Sequence, residues 1–156
     1  MTLALGITAG APAADFMLTP AETVKVEARG VVMRPTLDAS QRRGTVRAAV
    51  LIDAPPVVAF EMMTRCSEAV IYVPHLRVCR VRERAADGTW EIIEHEIDFG
   101  WYAPRVKWTF RAEFSPDYTI AFRQVSGDFK TNEGRWEFEP VANGTRTLLR
   151  YHATID

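Results

Sequence analysis

The clearest pattern in the chain is strict alternation between residues 105 and 114. Val106, Trp108, Phe110, Ala112 and Phe114 share one side, and Arg105, Lys107, Thr109, Arg111 and Glu113 the other. A period of two belongs to a strand with one buried and one wet face. Similar stretches cover 44–52, 76–84, 89–99, 118–122, 135–139 and 145–155. They are separated by turn signals at Ala86-Asp87-Gly88, Ser115-Pro116-Asp117 and Ala142-Asn143-Gly144. Val24, Val26 and Ala28 alternate with Lys25, Glu27 and Arg29, which predicts a short early strand. Residues 34–43 are polar, contain Pro35 and show no useful period, so they read as a loop.

Asp53-Ala54-Pro55-Pro56 stops the strand that begins at Gly44. Proline is tolerated in the first turn of a helix, and Asp53 is placed to cap one. Val57, Phe60, Met63 and Thr64 then recur at helical spacing, and a second short helix or turn runs up to Tyr72-Val73-Pro74. The fold class is therefore α+β: an antiparallel sheet of six or seven strands, with short helices after the first core strand. One modest helix cannot cover the apolar face of such a sheet, which also carries Trp90, Trp101, Trp108 and Trp136. Either a cavity remains or another element closes it.

At 156 residues the chain has the length of one domain. With 19 basic against 20 acidic residues, interleaved rather than blocked, it offers no basic face for nucleic acid. No apolar run reaches the ~18 residues of a membrane span. Residues 1–14 are uncharged and end in Ala11-Pro12-Ala13-Ala14, a small-x-small pattern that places a leader cleavage before Ala14, although the basic front of a signal peptide is missing. The expected organisation is a leader or disordered N-terminus over 1–18 and one domain over 19–156. Export implies a periplasmic or secreted protein, with a cytoplasmic one as the alternative. Cys66 and Cys79 flank the helix-to-strand connection. In an oxidising compartment they can pair, closing a loop worth about 3 kcal/mol; otherwise they are two buried thiols.

His75, His95 and His152 lack metal-ligand spacing, and two cysteines are too few for a cysteine-based zinc site, so no metal is expected. No nucleophile elbow, P-loop or dinucleotide fingerprint is present, and no catalytic residue or cofactor is assigned. Parity puts Ile93, His95, Ile97, Phe99, Trp108, Phe110, Phe122, Trp136 and Tyr151 on the inner side, and Tyr102 beside Gly100 at the mouth. Such an inventory, mostly apolar with a few placed polar groups, suits a small-molecule site.

Ile52-Asp53-Ala54-Pro55-Pro56-Val57-Val58, a strand ending in Ala-Pro and entering a helix, resembles the opening of START-like (SRPBCC) proteins. Within them it is similar to the polyketide cyclase/dehydrase and coenzyme-Q-binding branch. Tyr72-Val73-Pro74-His75-Leu76 matches the tyrosine-then-proline turn of that branch. Gly127-Asp128-Phe129, Gly134-Arg135-Trp136 and Gly144-Thr145 fall where it places its late hairpins. The resemblance implies a helix-grip fold and a hydrophobic ligand such as a quinone, sterol or other lipid, with transient membrane contact. Members typically finish with a long helix that closes the cavity, whereas this sequence stops at Thr154-Ile155-Asp156. A longer chain, or a partner chain closing the cavity, would account for that. The leading expectation is a non-enzymatic binding or carrier domain. Its rival is an aromatase/cyclase- or dehydratase-like enzyme in which His95, Tyr151 or Asp98 moves protons.

Overall fold

The computed structural model describes residues 16–156, so the leader cleavage expected before Ala14 lies outside the described residues. The elements run α1 (Pro20–Glu27), β1 (Val32–Leu37), β2 (Gly44–Ile52), α2 (Pro56–Thr64), α3 (Cys66–Tyr72), β3 (Leu76–Arg84), β4 (Trp90–Ile97), β5 (Val106–Ser115), β6 (Thr119–Gly127), β7 (Asn132–Val141) and β8 (Arg146–Ile155). All eight strands form one antiparallel sheet, ordered β1-β2-β8-β7-β6-β5-β4-β3. After β2 the chain passes through α2 and α3 to the far edge, then returns strand by strand until β8 pairs with β2. Irregular registers in the β3–β4 and β5–β6 pairs bend the sheet, as bulges do.

The sheet thus has eight strands rather than six or seven, and two local expectations are corrected. Residues 34–37, expected in a loop over 34–43, belong to an edge strand, β1. Pro35 is compatible with it because an edge strand has one side that needs no ladder donor. Residues 20–27 form a helix, not a strand. Thr19 accepts from the Glu22 amide while the Glu22 carboxylate accepts from the Thr19 amide at 2.8 Å, a capping box with Pro20 in the first turn. The apparent alternation there was accidental: Val26 is buried and Val24 exposed.

That helix changes the outer face. Val26 and Phe16 pack over Val32, Ala49 and Leu148, a second small core on the side where polar residues were expected. Packing therefore reaches back to Phe16, before the boundary placed at residue 19. The main core lies on the inner face, where α2 sits against β7 and β8. Asp53 does not cap α2. Pro55 occupies the cap position, and the Asp53 carboxylate pairs instead with Arg29 at 2.6 Å and Arg146 at 3.0 Å.

The β7–β8 pairing brings backbone close to Gly134. A Cβ there would collide with the His152 carbonyl oxygen and stand 2.8 Å from Ala153 Cα and 2.9 Å from the Phe122 ring. Gly134→Ala is expected to cost about 3 kcal/mol, the upper part of the range for overpacking, measured as a lower urea midpoint at unchanged m-value.

Candidate functional site

The inner face of the sheet is filled at one end and hollow at the other. At the filled end Phe60 of α2 makes edge contacts with Phe114, Tyr118 and Phe138 at 6.1, 5.6 and 5.5 Å between ring centres. Ala59, Ile120 and Leu149 complete that cluster. At the other end the cover is α3, seven residues long. A cavity of about 340 Å³ remains between α3 and strands β3 to β8, at the low end of the roughly 300–1,000 Å³ typical of small-molecule sites.

Ile93, His95, Ile97, Trp108, Phe110, Phe122, Trp136 and Tyr151 all line it. Phe99 and Tyr102 do not, and their expected place is corrected. Phe99 lies past the end of β4, with its ring 5.4 Å from that of His75. Beyond it Gly100 adopts a positive φ of 89° and turns the chain away, leaving Tyr102 exposed beside Trp101, which is 97% exposed. Parity holds only while the strand continues.

The sequence reading missed the rest of the wall. Cys66, Ala69 and Val73 line the cavity from α3 and its end, and their spacing is helical. Asn132 lines it as well. It shares parity with Trp136, but the alternation in the sequence is clear only over 135–139, whereas β7 begins at Asn132.

Four features set the chemistry of the cavity. Tyr151 stacks on Trp136 with ring centres 4.0 Å apart and lies parallel to Phe122 at 6.1 Å. Burial raises its phenol pKa, so the hydroxyl keeps its proton. Asn132 is 9% exposed, and neither its amide nor the Tyr151 hydroxyl has a hydrogen-bond partner among the described residues. His95 stands edge-on to Trp108 and Phe110 at 5.3 and 4.9 Å.

Cys66 and Cys79 form a disulfide, Cα atoms 5.4 Å apart, that ties α3 to the edge strand β3. Cys79 Sγ is 3.2 Å from His95 Nε2. Burial lowers the His95 pKa to about 4, so the ring is neutral at pH 7. His152 points to the outer face, opposite Arg47 and Arg135, and His75 sits in the turn before β3, so the three histidines do not converge. Asp98 is held at the turn after β4, accepting from the Gly100 amide at 2.8 Å and pairing with Arg105 at 3.1 Å.

A curved antiparallel sheet gripping helices over an apolar cavity is the START-like, helix-grip architecture. The chain belongs to the polyketide cyclase/dehydrase and lipid transport family, whose model matches residues 52–156. No curated protein matches it in sequence. Among solved structures it is similar to the lipid transfer and protein localization domain of human StarD13, at 16% identity and a TM-score of 0.64, over 90% of this chain and 84% of that one. It is similar to the Zhui aromatase/cyclase from a Streptomyces species at 17% identity and a TM-score of 0.63, over 80% and 68%. A STAR-related lipid transfer protein from Xanthomonas axonopodis matches at 12% identity and a TM-score of 0.64, over 80% and 75%.

His95 generates a pH prediction. Its folded pKa lies below the unfolded value of 6.5, so between about 6.5 and 4 the unfolded chain binds the extra proton. Stability from this group is full above pH 6.5 and falls as the pH drops through that window. The loss is about 2 kcal/mol by pH 5. His95→Phe is expected to flatten that slope in urea melts at pH 7 and pH 5. Equal slopes in both proteins would show that His95 is not held neutral.

Proposed function

We propose that this domain is a non-enzymatic binder or carrier of one hydrophobic small molecule, held in the cavity with a polar end toward Asn132, Tyr151 and His95. One observation carries the reading: an aromatic hollow left uncovered by α3 contains two polar side chains, Asn132 and Tyr151, that make no hydrogen bond among the described residues. Buried polar groups are normally hydrogen-bonded, so a ligand carrying a carbonyl or hydroxyl would complete them. Quinones, sterols and acyl lipids with such a group all meet that description. The names of the similar structures, lipid transfer domains among them, agree with this class of ligand.

The charge state of His95 favours a carrier over the enzyme reading. A general acid or base works best with a pKa near the operating pH, and a neighbouring carboxylate usually sets it there. Here burial holds His95 far below, and its near neighbour is a sulfur atom. Asp98, the carboxylate considered for the rival mechanism, is committed to Gly100 and Arg105. The disulfide supports a periplasmic or secreted setting, since such bonds persist in oxidising compartments.

Native mass spectrometry of protein purified from its own host tests the proposal, together with displacement of an apolar fluorophore. Ala69 faces the cavity from α3, so Ala69→Phe is expected to abolish retention of the co-purifying molecule. Asn132→Leu should weaken a ligand with a polar end about tenfold and leave a plain alkyl probe unaffected. An empty wild-type protein, with fluorophore binding indifferent to Ala69→Phe, would defeat the carrier reading. Turnover of a polyketide-like substrate that His95→Phe removes would replace it with the enzyme.

A further inference from the structure

The outer face of the sheet carries a cationic feature that has no role in the cavity. Register sets four basic side chains in one row across adjacent strands: Arg34 on β1, Arg47 on β2, His152 on β8 and Arg135 on β7, each directly opposite the next. Like charges in opposed positions destabilise a sheet. Arg150, two residues before His152 on β8, adds a further cation on the same face.

Carboxylates answer some of this charge but not all. Glu22 holds Arg34, and Glu139 holds Arg150 through Nη1 at 2.8 Å. Glu137 pairs with Arg135 at 2.7 Å, although the Arg135 Nε makes no hydrogen bond. Arg47 makes no ion pair among the described residues. The Nε atoms of both Arg135 and Arg150 are buried without a hydrogen-bond acceptor.

These groups converge. Arg47, Arg135, Arg150 and His152, with Glu137 and Phe16, wall a small hollow of about 20 Å³. That is room for one water-sized group. Three guanidinium groups around one hollow, of which Arg47 makes no ion pair among the described residues, suit the oxygen of a carboxylate or phosphate better than neutral water, since charge-assisted bonds are about twice as strong. We propose that this hollow binds an oxyanion group from outside the chain, seating one phosphate or carboxylate oxygen between Arg47, Arg135 and Arg150.

Titration of the full chain with inorganic phosphate, read by backbone amide shifts, tests the proposal. Saturable shifts are expected at residues of β2, β7 and β8 around the hollow, with affinity falling as sodium chloride is raised. Arg47→Gln should weaken binding about tenfold, whereas Arg123→Gln, on the outer face of β6 away from the hollow, should not. In phosphate-free buffer Arg47→Gln should melt no lower than the wild type, because it relieves repulsion from Arg34, directly opposite on β1. A lower melting temperature there would assign Arg47 a structural role and overturn the site. Equal loss in both variants would reduce the effect to diffuse surface charge. The carboxylate of Asp15, which precedes Phe16 in the sequence, is a second source of the same chemistry. Phosphate binding that appears only in Asp15→Ala would assign the hollow to the chain itself and overturn an external ligand, as would the absence of saturable shifts.

Discussion

The structure depends on a mismatch of areas: eight strands present one apolar inner face, and helices of nine and seven residues are set against it. Where α2 lies, the mismatch is resolved by large rings, and Phe60 reaches three aromatic partners from one position. Where α3 lies, the helix is short and its inward residues Cys66 and Ala69 are small, so apart from the tie to β3 a space remains between it and the strands across the cavity. The cavity is the remainder of that packing problem. Its location is set by the order of helix residues, large on α2 and small on α3.

A helix of seven residues is not stable alone and must be held by tertiary contacts. The Cys66–Cys79 bond supplies a covalent one at the edge of the sheet, where β3 has a neighbour on one side. The same bond places sulfur against His95, within a wall of aromatic rings. Structural and chemical roles coincide there, because the staple that fixes the wall is part of its surface.

Parity carried the sequence reading far. Alternation over 105–114 identified the inner face of β5, and register transmitted it: His95 opposes Trp108, Ile93 opposes Phe110, and Trp136 opposes Tyr151. Where the period was interrupted, legibility ended. Phe99 and Tyr102 were assigned by extending β4 past Ile97, and Asn132 was lost because β7 was started too late. Both errors are of strand length, to which alternation is blind. The α1 error is of another kind. Three alternating residues predict a strand, whereas Thr19, Pro20 and Glu22 supply a helix start that fixes local geometry regardless of the pattern behind it.

The two faces handle buried polarity in opposite ways. On the outer face most charges find partners across strands, as Arg82 and Glu94 or Lys107 and Glu96 do at distances of 3.1 and 3.0 Å. Exposed pairs of this kind contribute little to stability, but they keep the sheet surface wet and fix its register. On the inner face Asn132 and Tyr151 make no hydrogen bond among the described residues, and an apolar residue of similar size at either position would leave no polar group facing an apolar cavity. Stability alone therefore argues against a polar amide and a phenol at those positions. A bound molecule with one polar end reverses that balance, since each group then gains its missing bond while the surrounding rings bury the apolar remainder.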